Sequence, residues 1–304
     1  MRRRFYLIVN PGAGVIGSPL VEETVRALEL AGASVTRLSA GDFDATRRAA
    51  AAAAASGRYD AIVAAGGDGT IRQVAAAMLG SDTPLGIIPA GTANVLALEI
   101  GLARTASAVS RYLLEGPVIN VACGRANGEP FLLMVGAGFD AHVLAGLDRR
   151  AKSVFGKAAF IGPLLGALVR PMDTLALAID GRHYEASWAV IANARHYGGR
   201  FVLAPRAHLH EPGLEAILFK ARSRARLLSQ LLSLVMGRLE SRAGLGGDVE
   251  MVLCSRVTVT SHCAVPTQID GDVLATTPLE VEAGTTHVRL IVPADAVCSG
   301  NSRS

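Results

Sequence analysis

An α/β domain built on a parallel sheet, followed by a mostly antiparallel β-sandwich domain, is the fold class this 304-residue sequence predicts. Through residue 116, short Val- and Ile-rich runs alternate with longer helical patterns closed by glycine, which is how strands and crossover helices alternate around a parallel sheet. Beyond Gly116 turn dipeptides separate strand-like runs with little helix between them, as in an antiparallel half. The length suits two domains. The boundary is placed near residue 117, giving 1–117 and 118–304, with the extreme C-terminus free to pack back on the first domain.

In order, Phe5–Asn10 reads as a buried strand, and Ser18-Pro19 offers a cap and a first-turn proline to a helix ending near Gly32. Ser34–Leu38 is the second strand. A helix runs from about Asp44 through the alanine tract Ala49–Ala55 to Gly57, then Asp60–Ala65 is a strand and Thr70–Leu79 a helix ending at Gly80. Leu85–Pro89 is the fourth strand. In the second half, Asn127-Gly128 joins Val118–Gly124 to Phe131–Val135, and Asp180-Gly181 joins Thr174–Ile179 to His183–Asn193; both dipeptides demand type I′ turns. Glu250–Thr260, Leu279–Glu282 and His287–Val292 complete the antiparallel half.

Composition narrows the function classes. Half the residues are hydrophobic and 18% are charged, below the roughly 25% of ordinary soluble domains, so the chain folds rather than staying disordered. The net charge of +4 is carried by arginine, since Lys152, Lys157 and Lys220 are the only lysines. So small an excess over this length argues against a nucleic-acid groove. Four scattered cysteines, Cys123, Cys254, Cys263 and Cys298, form no Cys-x-x-Cys pair and suit reduced thiols in a cytoplasm. The apolar run after Arg2–Arg4 is too short for a signal peptide. Ala158–Val169 and Leu227–Met236 are too short or too interrupted to span a bilayer, leaving peripheral contact with the inner face of a membrane.

Three glycine turns follow strands at what would be one sheet edge, where open α/β sheets bind ligands. Gly66-Gly67-Asp68-Gly69-Thr70 lies between the third strand and its helix. There the glycines let backbone N–H groups approach a polyphosphate, and Asp68 can position Mg²⁺ or the attacking hydroxyl. Asn10-Pro11-Gly12-Ala13-Gly14 follows the first strand, and Pro89-Ala90-Gly91-Thr92-Ala93-Asn94 ends the fourth. Gly12, Gly14 and Gly17 also fit the dinucleotide fingerprint G-x-G-x-x-G, but no acidic residue ends the second strand, where Ser39-Ala40-Gly41 follows. Together the three turns outline a nucleotide site.

These motifs, with Pro84–Pro89 and Gly136-x-Gly138-Phe139-Asp140, stand in the order and spacing of the diacylglycerol kinase catalytic-domain family. The chain resembles its bacterial lipid kinases, relatives of sphingosine kinases and more distantly of NAD kinases. Weaker echoes at Lys152–Ala159, Asn193–Pro205 and Asp270-Gly271-Asp272 extend the resemblance over nearly the whole sequence. It implies an ATP-binding α/β domain, a β-sandwich lipid domain, and use of ATP with Mg²⁺. Transferred by position, Asn10, Pro11, Gly14, Gly66, Gly67, Gly69, Thr70, Gly91, Thr92 and Asn94 become ATP-site residues and Asp68 the catalytic and metal carboxylate. The family's late Asp-Gly-Glu carboxylate, which takes the substrate hydroxyl's proton, becomes Asp272, one methylene shorter.

Other positions depart from the family. Val95 stands where Asp is frequent, and Arg72 and Gln73 where Asn and Glu are frequent. Arg72 is read instead as a phosphate contact at the helix start. The family's accessory magnesium segment reads Glu211-Pro212-Gly213 with Glu215. His208, His210 and Glu211 read as surface groups more than as metal ligands, His196 and Tyr197 as shaping residues, and Asp140 as a lesser acidic candidate. Arg222, Arg224 and Arg226 precede an amphipathic pattern of Leu227, Leu228, Leu231, Leu232, Val235 and Leu239, with Arg238 and Arg242 beyond. That pattern suits either a helix packed on the sandwich or one lying on an anionic bilayer.

The sequence thus predicts an ATP-dependent, Mg²⁺-requiring kinase acting on a lipid hydroxyl, diacylglycerol-like or a long-chain alcohol, with the dimeric habit of the family. A nucleotide- or lipid-binding protein without kinase activity, a dinucleotide oxidoreductase and an NAD kinase are the alternatives.

Overall fold

The apolar N-terminal run forms β1 (Arg4–Val9), and the helix that follows, α1 (Pro19–Leu30), takes Pro19 in its first turn, where a missing N–H costs nothing. Ser18 precedes it without a side-chain capping bond. After β2 (Ser34–Ser39), α2 (Phe43–Ala55) starts one residue before the expected Asp44, capped by the Asp42 carboxylate, which accepts from Ala45 N at 2.6 Å. β3 (Ala61–Gly66), α3 (Asp68–Ala77) and β4 (Leu85–Pro89) follow. Two helices that the sequence reading did not name, α4 (Val95–Glu99) and α5 (Ala106–Glu115), lead to β5 (Val118–Ala122).

The computed structural model describes residues 1–10, 18–148, 156–243 and 247–298. Contacts divide the chain into Met1–Val121 with Thr286–Ser304, and Ala122–Thr285.

In the second unit, β6 (Gly124–Ala126) and β7 (Glu129–Phe131) form a hairpin, then come β8 (Met134–Ala137), α6 (Phe139–Ala145) and α7 (Ile161–Val169). β9 (Leu175–Ile179) and β10 (Arg182–Ala186) form a second hairpin, followed by β11 (Trp188–Ala192), β12 (His196–Tyr197), β13 (Phe201–Val202) and β14 (Leu214–Phe219). After α8 (Arg224–Val235) come β15 (Val249–Cys254), β16 (Arg256–Ser261), β17 (Pro266–Ile269), β18 (Asp272–Thr276) and β19 (Leu279–Glu282). The strands form two six-stranded antiparallel sheets, β10-β9-β16-β19-β6-β7 and β15-β14-β11-β8-β17-β18. Phe131, Leu177 and Val257 from the first meet Val135, Ile191 and Leu218 from the second in a buried core. Positive φ at Asn127, Asp180 and Asp270, each followed by a positive-φ glycine, gives three tight hairpin turns.

β20 (His287–Ile291) and the short α9 (Ala294–Cys298) close the chain. The first sheet runs β2-β1-β3-β4-β20-β5, with β1 to β4 and β20 parallel. So His287–Val292, read in sequence as part of the antiparallel half, belongs to the parallel sheet; an isolated apolar run carries no mark of its partner strands. Four other runs are split between sheets: Val118–Gly124 divides between β5 and β6, and Phe131–Val135 between β7 and β8. His183–Asn193 breaks at Ser187, whose N–H and hydroxyl both donate to Phe219 O, and β10 and β11 lie in different sheets. Glu250–Thr260 breaks in the same way at Ser255, whose N–H donates to the Asp180 carboxylate. At Ser187 the chain stays buried through the corner, so hydropathy does not show the break; at Ser255 the corner is exposed, but a single polar pair in a Val- and Thr-rich run gives no clear stop.

Candidate functional site

The ends of β1, β3 and β4 bring three sequence motifs of the first unit into one bonded cluster. Asn10 Nδ2 donates to Thr70 Oγ1 at 3.1 Å, tying the first turn to the second. Asp68 ties the second to the third: its two carboxylate oxygens accept from Val95 N at 3.0 Å and Leu96 N at 3.1 Å. Those are the first N–H groups of α4, which have no partner within their own helix. The carboxylate therefore stands at the N-terminus of two helices, its own α3 and α4, where both dipoles favour negative charge. Asn94, in the left-handed region at φ 50, closes its turn by accepting from Gly91 N at 2.9 Å and donating to Gly91 O at 2.6 Å.

The glycines are required by contact. A Cβ on Gly91 would lie 2.4 Å from Gly67 Cα, and one on Gly66 would lie 2.7 Å from the Thr70 hydroxyl. Gly67 and Gly91 are where the second and third turns touch backbone to backbone. Val95 donates through its main chain, so the absence of Asp at that position leaves the link to Asp68 intact.

In the second unit the motif Gly136-x-Gly138-Phe139-Asp140 builds a buried carboxylate. A Cβ on Gly136 would fall 2.1 Å from Asp140 Oδ2, so the missing side chain is the space Asp140 occupies; Gly138 turns the chain into α6 at φ 100. Asp140 is 4% exposed. Burial pushes its carboxyl up to about 6, against the pull of Gln268 Nε2, which donates at 3.0 Å, and of Ala141 N at 2.8 Å. Gln268 passes the link on, because its Oε1 accepts from Gly271 N at 3.0 Å. The same turn is fixed from its other side by Asp270, whose carboxylate accepts from Leu132, Leu133 and Met134 N at 2.8–2.9 Å. Asp272 follows this doubly held turn as the half-buried first residue of β18. Gln268 was not named in the sequence, and Asp270 only as part of the Asp270-Gly271-Asp272 echo, with no role of its own. The Asp-Gly pair, a hairpin signal like the two that were read, was the available sign.

The remaining sequence candidates fall as follows. Pro11 and Gly14, with Gly12 and Gly17, lie outside the described residues. Thr92 sits half-buried in the third turn, and Gly69 lies within the first turn of α3. Arg72 is 5% exposed on the buried side of α3, and Gln73 beside it accepts from Arg47 Nε. Glu215 is fully buried and accepts from Arg206 N and Nε at 2.9 and 2.8 Å, so this carboxylate of the accessory acidic segment is taken up by Arg206. His210 pairs with Glu211 at the surface at 3.7 Å. Among the described residues no three His, Cys, Asp or Glu side chains come together as a metal cage. A single carboxylate suits Mg²⁺ that travels on nucleotide phosphates, which needs one or two from the protein.

Comparison with known proteins agrees in both halves. The model of the diacylglycerol kinase catalytic domain matches residues 4–126, and that of the YegS C-terminal NAD kinase beta sandwich-like domain matches 133–292. A Pseudomonas putida protein named "Probable lipid kinase YegS-like" is 31% identical over 259 residues, 83% of this chain and 82% of its own. A Mycobacterium tuberculosis protein named diacylglycerol kinase is 29% identical over 279 residues, 86% of each chain. An uncharacterized Synechocystis protein is 27% identical over 238 residues, 77% of this chain, and this chain spans only 55% of it. A crystal structure of a diacylglycerol kinase from Bacillus anthracis shares the fold at a TM-score of 0.77 and 22% identity, over 97% of this chain and 98% of that one.

Proposed function

Since the chain belongs to the family of the diacylglycerol kinase catalytic domain, joined to a YegS-type β-sandwich domain, we propose that it is an ATP-dependent lipid kinase. It transfers the γ-phosphate of ATP to a lipid hydroxyl, that of diacylglycerol or a related long-chain alcohol. The observation that carries this reading is the bonded cluster of three glycine turns around Asp68. Two helix N-termini and glycine backbone there suit a polyphosphate.

In this reading Asn10, Gly66, Gly67, Gly69, Thr70, Gly91, Thr92 and Asn94 hold ATP, and Arg72 adds positive charge behind the phosphates. Asp68 is the residue that would hold Mg²⁺, which supplies charge neutralisation on the phosphates. Asp272 takes the proton of the acceptor hydroxyl as its oxygen bonds to the γ-phosphorus and the bond to ADP breaks. Exclusion of water is needed as well, because a solvated γ-phosphate is lost to hydrolysis.

The test is incubation of the purified protein with γ-labelled ATP, Mg²⁺ and a mixed lipid extract in detergent micelles, followed by extraction. Label is expected in the organic phase. No label there, with label appearing instead on added NAD, would replace the lipid reading with an NAD kinase; no label on either acceptor would leave a binding protein.

A further inference from the structure

The second unit carries an apolar surface that the kinase chemistry does not use. α7 is apolar on every side: its nine residues, Ile161 to Val169, include no polar side chain. Such a helix belongs in a core or a membrane. Yet of these nine only Ala167 is buried, while Leu165 is 58% and Val169 64% exposed, with Ile161 and Leu164 beside them.

α8 packs against it. Arg224 Nη2 donates to Val169 O at 2.6 Å, and Ala167 and Leu227 line one small cavity. α8 has two apolar sides. Leu227, Gln230 and Leu234 face inward, which accounts for its hold on the sandwich, while Leu228, Leu232, Val235 and the following Met236 are each more than half exposed. A helix that needed only one packed face would not carry the second.

Basic groups predominate around this surface, although Asp173 lines the cavity shared by Ala167 and Leu227, and Arg226 reaches Asp248 at 3.4 Å. No acidic residue occurs in 156–170 or in 221–239, whereas Arg170, Arg222, Arg224, Arg226 and Arg238 do, all exposed. Arg242, grouped with them in the sequence, turns away and forms a close pair with Asp248, which holds that guanidinium above and the carboxyl below their usual ranges. Apolar side chains flanked mainly by exposed arginines match the interface of an anionic bilayer: acyl region for the leucines, headgroup phosphates for the guanidinium groups. No helix of the described residues is long and apolar enough to cross a membrane.

We propose that the exposed sides of α7 and α8 form a docking face for an anionic lipid surface, on which the protein lies without spanning it. The need for such a face follows from the lipid kinase reading, but the binding itself is independent of phosphate transfer.

The test is flotation of the full chain with vesicles of phosphatidylcholine containing 30% phosphatidylglycerol, and with phosphatidylcholine alone. The wild type is expected to float with the anionic vesicles. Arg170→Gln/Arg222→Gln/Arg238→Gln should bind about a hundredfold more weakly, at roughly fivefold for each arginine. Leu165→Ser/Leu228→Ser/Leu232→Ser should lose binding while keeping the wild-type melting temperature, since none of the three is in the core. Phosphorylation of a short-chain, monomerically dissolved diacylglycerol should be unchanged in both variants. A wild type that floats with neither vesicle, or variants that float like the wild type, would overturn the proposal. So would leucine variants that dissociate a dimer while still floating, which would make the face a contact between copies. Absence of phosphate transfer in every protein would count against the kinase reading and leave the vesicle result standing.

Discussion

Replacing Gly91 by Ala probes the contact on which the three-turn cluster depends. The new Cβ would lie 2.4 Å from Gly67 Cα and 3.0 Å from both Gly67 N and Asn94 Oδ1, whereas ordinary contact begins at 3.4 Å. Backbone lies on both sides, so no side chain can swing away and the two turns must part by about 1 Å. Overpacking of this kind costs about 1–3 kcal/mol. Because Asp68 reaches Val95 N and Leu96 N across the same gap, the separation also lengthens both of those bonds. A displacement of about 1 Å at a site that works by positioning lowers rates on the order of a hundredfold. The assay pairs thermal unfolding with ATP binding by calorimetry: a lower melting temperature with nucleotide binding weakened at least tenfold is expected. A Gly91→Ala protein with wild-type melting temperature and affinity would refute the reasoning, since the turns would then not be held by this contact.

Three further outcomes follow from the same geometry. Asp140 has its carboxyl raised by burial, so the native state binds its proton more tightly than the unfolded chain does, and stability is lost as pH rises through about 6. Relative to Asp140→Asn, the wild type should lose on the order of 3 kcal/mol between pH 4 and pH 7 in denaturant titrations; parallel profiles would contradict the assignment. Asp270→Ala leaves three buried N–H groups of residues 132–134 unpaired and should destabilise by about 3 kcal/mol or more, read as a shift in urea midpoint. Cys263 is exposed, while burial pushes the Cys254 thiol up to about 12. A thiol reagent should therefore modify Cys263 quickly and Cys254 only on unfolding, as peptide mapping would show.

The parts of this fold legible in sequence are those fixed by local chemistry. Pro19 and Gly32 bracket α1, and Asn127-Gly128 and Asp180-Gly181 adopt the turns that their side chains demand. The three glycine turns were legible as motifs, but their bonding to one another was not. That Asp68 caps a helix 27 residues away depends on α4, five residues too short to give a periodic signal. The corner at Ser187 was hidden because burial is continuous through that sheet change. Asp140 illustrates the same gap, since nothing in the sequence says that Gly136 exists to seat its carboxylate.

These bonds also change how substitutions at the site are read. Asp68→Asn keeps one acceptor but turns an amide N–H₂ toward a backbone N–H, so loss of activity there mixes chemistry with the detachment of α4. Asp272 lies at the start of a strand whose turn is held by Asp270 and Gln268, and Asp272→Asn is the cleaner probe. The most direct measurement is transfer of label from γ-labelled ATP to diacylglycerol by the wild type and by Asp272→Asn, with ATP affinity measured on both. The account predicts labelled lipid from the wild type, and a variant that binds ATP equally well but transfers about a hundredfold more slowly or worse. A wild type that binds ATP and labels no lipid, or a variant that transfers at the wild-type rate, would contradict it.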